Sequence, residues 1–307
     1  MKASLLVFSQ TGNTHKVGAA IAGGLAAGGA AVETLGFLQR GRWHPEQADL
    51  IGVGCPVFSN RPAEVVPQFL DASGFDFHGK KAFVFLTSGG SPARSLWHLA
   101  QALARRGATV VGGLQLRGTS TFPTLYGLYP GRPNLAELAH AENFGRALAA
   151  HVGEGRALPP EYLIDPKRGG RLYDRLGPML NYLQRKSVPV PACDTTQCDL
   201  CGNCVFECPS KNITVVNKTI AIADDCIYCY RCWQVCPNDA IVAKFSPGNG
   251  FFDRLVYSET VERWFGDVQA GEHAGENRYR EAMARTLRLR YDRKHPTGEI
   301  TAAPPPK

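Results

Sequence analysis

The chain has 307 residues, 44% of them apolar, and 34 Lys and Arg against 27 Asp and Glu, a formal charge of +7. That length and apolar share allow two domains with a sizeable core. The longest uncharged stretch, residues 17–32, is Gly- and Ala-rich and falls short of the roughly 20 residues of a membrane span, and the scattered basic residues form neither a run nor a nucleic-acid recognition motif.

Residues 3–152 alternate short apolar runs with helical patterns, which predicts βαβ units and a parallel sheet. Strands are expected at Leu5–Phe8, Ala31–Leu35, Leu50–Val53, Ala82–Leu86 and Thr109–Leu116. Helices are expected near Thr14–Ala27, Pro62–Phe69, Ser95–Arg106 and Leu135–His151. In the third of these, Leu96, Leu99, Ala100 and Leu103 share one face, and Arg105-Arg106-Gly107 stops it. Five such strands suit a doubly wound α/β domain, which binds ligands outside the carboxyl ends of its strands.

Three strand-end loops carry candidate binding residues. Ser9-Gln10-Thr11-Gly12-Asn13-Thr14 follows the first strand and opens a helix. Gly12 permits a tight turn, the hydroxyls of Ser9, Thr11 and Thr14 are donors, and helix-start amides favour an anion. No G-K-[ST] follows, so this is not a P-loop. The second loop is Gly54-Cys55-Pro56-Val57-Phe58-Ser59-Asn60, in which Pro56 shapes the turn and Phe58 offers a ring for stacking. Cys55 reads as a small buried filler. The third is Thr87-Ser88-Gly89-Gly90-Ser91, whose glycines let backbone approach a flat ligand. The first loop resembles the flavodoxin phosphate loop, S/T-x-T-G-N-T, at all its defining positions. The resemblance covers about residues 1–152. It implies FMN, with Ser9 to Thr14 on the phosphate and Pro56, Val57, Phe58, Ser59, Thr87, Ser88, Gly89 and Gly90 around the ring. Residues 118–133, with Phe122, Tyr126 and Tyr129, read equally as a segment that lids the flavin or contacts the cysteine-rich module and as a surface loop tucking its aromatics inward.

Residues 153–192 are expected to be a linker carrying one amphipathic helix. Leu172, Leu176, Met179, Leu180 and Leu183 share a face between Arg171 and Arg185, with a kink at Pro178. Then comes C-D-L-C-G-N-C-V-F-E-C-P, repeated 28 residues on as C-I-Y-C-Y-R-C-W-Q-V-C-P. Cys198, Cys201, Cys204 and Cys208 map onto Cys226, Cys229, Cys232 and Cys236 without a change of spacing. Eight of the ten cysteines fall within 39 residues, a metal module and not a dispersed disulfide scaffold. Zinc sites usually come as separated C-x2-C pairs, whereas evenly spaced triplets with a remote fourth Cys suit cubane clusters. The run resembles that of bacterial two-cluster ferredoxins over about residues 193–245. The resemblance implies two [4Fe-4S] clusters with crossed ligation. One takes Cys198, Cys201, Cys204 and Cys236, and the other takes Cys226, Cys229, Cys232 and Cys208. Ile213 and Ile241 are expected to shield the clusters, Tyr228, Tyr230 and Trp233 to pack around the second, and Cys193 to be surplus. In residues 246–307, one helix is expected at Glu276–Tyr291, ahead of a disordered Ala-Pro end.

Together the chain resembles a flavodoxin–ferredoxin fusion. The resemblance implies an electron-transfer flavoprotein with a redox partner protein; the alternative is an FMN-dependent reductase fed by its clusters. Residues 1–152 carry 13 basic against 8 acidic side chains, which suits an acidic docking face on the partner. Met1-Lys2 leads directly into the first strand, and thiolate ligands favour a reducing compartment, so a cytoplasmic location is expected.

Overall fold

In a computed structural model of the chain, residues 1–90, 92–120, 122, 129, 131–166, 179, 182 and 188–243 are described, together with the backbone of 289–291 and 300–302. Five apolar runs build one parallel sheet from β1 (Lys2–Val7), β2 (Ala31–Gly36), β3 (Leu50–Phe58), β5 (Lys81–Ser88) and β6 (Thr109–Arg117). Their order is β2-β1-β3-β5-β6. This is the doubly wound arrangement expected, with the change of direction between β1 and β3. The connecting helices are α1 (Asn13–Ala27), α2 (Val65–Ala72), α3 (Ser95–Ala104) and α4 (Leu135–Gly153).

Both faces of the sheet are buried, which is why its strands read as unbroken apolar runs. On one face Leu5, Val7, Phe83 and Phe85 meet Val17, Ile21, Phe144 and Leu148 of α1 and α4. On the other, Leu6, Ile51, Val53 and Val84 meet Val66, Leu70, Leu99 and Leu103 of α2 and α3. Helices α1 and α4 approach at paired glycines. A Cβ on Gly24 would lie 2.0 Å from the Glu142 carbonyl oxygen, and one on Gly145 would lie 2.2 Å from that of Ile21. Side chains at either position would force the helices apart.

β3 runs five residues beyond the expected Leu50–Val53, then turns back into the short strand β4 (Arg61–Pro62). Ser59 and Asn60 take φ of 48° and 60°, the left-handed pair of a two-residue hairpin. Pro56, Val57 and Phe58 therefore sit on a strand end and not in a free loop. The packed domain also extends beyond α4. Leu158 and Tyr162 are buried against its core, with the Tyr162 ring 4.8 Å from that of Phe144. The first part of the expected linker is thus core, because Gly112 leaves room for Leu158 and Tyr162 over β6.

The cysteine-rich region is small. Strand β7 (Ala192–Cys193) pairs antiparallel with β10 (Ile241–Val242), and β8 (Ile213–Val216) with β9 (Thr219–Ile222). Two single-turn helices, α5 (Asn203–Phe206) and α6 (Arg231–Val235), follow left-handed residues Gly202 and Tyr230. The helix expected over Arg171–Arg185 lies outside the described residues apart from Met179 and Tyr182, both exposed. At the end of the helix expected over Glu276–Tyr291, β11 (Leu289–Tyr291) instead pairs with β12 (Ile300–Ala302). Leu289 and Tyr291 alternate about Arg290, a period-two pattern that suits a strand. No helix among the described residues is long and apolar enough to cross a membrane.

Candidate functional site

The three expected loops meet at the carboxyl ends of adjacent strands. Val7 of β1 stands opposite Gly54 of β3, and Pro56 of β3 opposite Thr87 of β5. In the first loop Gly12 takes φ 100°, a conformation that favours glycine. Its amide donates to Ser9 Oγ at 3.1 Å, which closes the turn onto α1. Thr11 and Thr14 are buried, and the Thr14 hydroxyl lies 2.7 Å from that of Thr87. The first and third loops are thus joined through two hydroxyls. Ser88 Oγ accepts from the Gly90 amide at 3.2 Å and donates to the Gly90 carbonyl at 2.7 Å, while Gly89 packs onto Ser120.

These groups fit a phosphate. A helix start leaves its first amides without intrahelical acceptors, and the neighbouring hydroxyls are neutral donors. No Asp or Glu occurs before Glu33, so nothing in this loop repels an anion. Phe58 is partly committed elsewhere: its ring packs edge-on to Phe8 at 6.2 Å. Cys55 is fully buried, and burial pushes its thiol up to about 12, as expected of a core filler.

Asn13 and Gln10 turn out to serve a second purpose. Asn13 Nδ2 donates to the Thr119 carbonyl at 3.1 Å, which holds the start of the 118–133 segment. Gln10 Nε2 donates to the carbonyl of Cys229, 219 residues away. Phe122 meets Tyr230 edge-on at 5.5 Å, and Ile227 packs against the sheet domain. Tyr126 lies outside the described residues.

Two small cavities lie in the cysteine-rich region. One is lined by Cys198, Cys201, Cys204 and Cys236, with Ile220 and Ile241. The other is lined by Cys208, Cys226, Cys229 and Cys232, with Ile213 and Tyr230. Three spaced thiols from one half of the repeat and the fourth from the other half surround each cavity. Among the described residues, no three His, Cys, Asp or Glu side chains converge closely enough for a single metal ion. Backbone amides point at the sulfurs: Asn212 N–H to Cys208 Sγ at 3.3 Å, Ala240 N–H to Cys236 Sγ at 3.2 Å and Tyr228 N–H to Cys226 Sγ at 3.4 Å. Such bonds favour thiolate and tune cluster potential.

Burial pushes the Cys229 thiol up to about 12, and it raises Cys204 and Cys232 as well. Neighbouring thiols add to each of these shifts, since like charges resist joint ionisation. Cys193 lines neither cavity. Its thiol is pushed up to about 11 by burial and by a bond to Cys198. Ile213 and Ile241 are buried as expected. Tyr230 is buried too, and its hydroxyl donates to the Pro189 carbonyl at 2.7 Å. An open cleft separates Phe37 and Phe69 from Asp224–Tyr228, and Phe58 does not line it.

Of the candidate residues, Thr14 and Thr87 meet directly, and the eight thiols form two rings. The second ring lies against the first loop. What chain position alone could not reveal is the outward role of Gln10 and Asn13. The signal in reach was a long polar side chain in a loop whose other members are small.

Residues 220–242 match a family of 4Fe-4S binding domains. A ferredoxin of Methanothermococcus thermolithotrophicus is 39% identical over 46 residues, 14% of this chain and 77% of that protein. The DNA-directed RNA polymerase subunit Rpo3 of Methanosarcina mazei is 40% identical over 60 residues, 18% of this chain, but the chain spans only 23% of that subunit's length. Among solved structures, a flavodoxin from the domain Archaea aligns at 21% identity and TM-score 0.41, covering 49% of this chain and 97% of that one. Flavodoxin 1 of Bacillus cereus aligns at 25% identity and TM-score 0.38, covering 47% and 95%.

Proposed function

We propose that this chain, which belongs to the ferredoxins through its cysteine-rich module and resembles a flavodoxin–ferredoxin fusion, is an electron-transfer protein holding one FMN and two [4Fe-4S] clusters. The observation that carries this reading is the pair of four-thiol rings, the second of which abuts the candidate phosphate loop through Gln10 and Cys229. When bound, iron–sulfur clusters supply one-electron steps and FMN supplies one- or two-electron steps, so the set joins both kinds of redox traffic.

The chain's own residues supply position, shielding and charge. Cys198, Cys201, Cys204 and Cys236 would ligate one cluster, and Cys208, Cys226, Cys229 and Cys232 the other. Ile220 and Ile241 shield the first from water, and Ile213 and Tyr230 shield the second. Amides from Asn212, Tyr228 and Ala240 offset the negative charge on the sulfurs. Thr11, Thr14 and the first amides of α1 would hold the FMN phosphate, with Ser9 bracing Gly12. Pro56 to Ser59 and Thr87 to Gly90 would flank the ring. Cys201 is exposed, beside Leu200 at 38% and Phe206 at 78% exposure, which favours electron exchange with a partner protein at the first cluster. The basic sheet domain suits an acidic region on that partner.

Iron and flavin assays on anaerobically reconstituted protein test the reading. The expected result is about eight irons and about one FMN per chain, as two cubanes and one phosphate loop require. About four irons, or stoichiometric zinc, would overturn the two-cluster reading.

A further inference from the structure

Gln10 is only 5% exposed although it belongs to a surface loop of small polar residues. Its Nε2 donates to the Cys229 carbonyl of the cysteine-rich module. Three residues on, Asn13 holds the Thr119 carbonyl at 3.1 Å. That segment leads to Phe122, whose ring stands edge-on to Tyr230, the residue after Cys229. One short loop therefore grips the second thiol ring twice, directly through Gln10 and indirectly through Asn13. Tyr230 is in turn tied to the connecting segment by its bond to Pro189.

We propose that Gln10 is a positioning residue that latches the second cluster's loop to the phosphate loop, so that filling the phosphate loop and seating the cluster module favour each other. This rests on the reading that the loop holds the FMN phosphate. A bound phosphate draws the hydroxyls and amides of Ser9 to Thr14 into one arrangement, and that arrangement fixes where the Gln10 backbone stands. The amide then meets the Cys229 carbonyl without further ordering cost, because ordering done by one ligand is not repeated for the other contact. Linkage makes the effect reciprocal: whatever factor FMN adds to docking, docking adds to FMN affinity. Glutamine suits the task because its NH2 group donates to a carbonyl without bringing charge beside the thiolates. Met at this position fills similar space without a donor, and Glu sets an acceptor against an acceptor.

The test uses full-length, cluster-loaded protein stripped of FMN, with iron content matched by assay. Hydrogen exchange of amides 227–231 is measured before and after adding FMN, and FMN affinity is measured by quenching of flavin fluorescence. In the unaltered protein, FMN should slow exchange across 227–231. In Gln10→Met and Gln10→Glu that slowing should disappear, and FMN should bind about fivefold more weakly or worse, the low end of typical coupling. A merely structural role for Gln10 would change exchange equally with and without FMN. The proposal is overturned if FMN binds the unaltered protein yet leaves 227–231 unchanged, or if Gln10→Met retains the full slowing. If the unaltered protein binds no FMN at all, the cofactor reading itself fails and takes this proposal with it.

Discussion

The sheet domain and the cysteine-rich module are held together by different means. The sheet domain buries apolar clusters on both faces, with Phe83, Phe85, Phe144, Leu5, Leu6 and Ile21 all fully enclosed. Its stability is that of an ordinary hydrophobic core. In the module, one buried cluster is made of Cys204, Cys208, Ile213, Ile220, Cys232, Cys236, Ala240 and Ile241. Half of those eight are thiols, so little of the module's interior is hydrocarbon. A unit this small usually needs a staple or metal to complete its core. One domain is built on hydrocarbon packing, and the other has few apolar side chains to pack.

The sharpest way to break this contrast is to remove the iron. Chelation should abolish exchange protection across 193–243 while the thermal transition of the sheet domain survives, because metal-binding energy in such modules is folding energy. Persistence of a protected module without iron would show that its few isoleucines suffice. The reverse asymmetry appears at Glu137. It is fully buried, pairs with Arg132 at 3.0 Å, and completes a capping box with Asn134 at the start of α4. Glu137→Ala strands a buried guanidinium and opens the cap, which should cost the sheet domain about 3–5 kcal/mol. Denaturant unfolding followed in the sheet domain measures it, and cluster absorbance should be unaffected. A loss below about 1 kcal/mol, the scale of an exposed pair, would mean that Arg132 finds another acceptor.

The smallest effect concerns pH. Burial, with repulsion from Arg61, Arg94 and Arg105, lowers His98 to about 4. A histidine of ordinary pKa near 6.5 protonates first in the unfolded chain. Its contribution to stability is therefore complete above about 6.5 and is lost as pH falls toward 4. His98→Gln should flatten that decline in the sheet domain's thermal midpoint without changing it at pH 8. An unchanged slope would assign the acid sensitivity to other groups.

Several features were legible because they depend on near neighbours in the chain. The β1 loop closes by contacts among Ser9, Gly12 and the first turn of α1, so its six residues carry their own geometry. The thiol sets are likewise readable, since equal spacing in both halves of the repeat forces equal local paths. Fully buried strands announce themselves as apolar runs. The β3–β4 hairpin was hidden because Ser59-Asn60 is a weaker turn signal than Asn-Gly. Leu158 and Tyr162 looked like linker because their burial depends on space above Gly112, more than forty residues earlier.

Sequence by itself thus determined the α/β alternation, the anion-suited loop after β1 and the two equivalent thiol sets, all of them products of local spacing and residue chemistry. Tertiary structure alone decided which thiol ring faces the sheet domain, that Glu137 is enclosed with Arg132, and that Gln10 reaches Cys229. Those outcomes depend on how separately folded surfaces meet, and a hydrogen bond between residues 219 positions apart leaves no periodic trace in the chain.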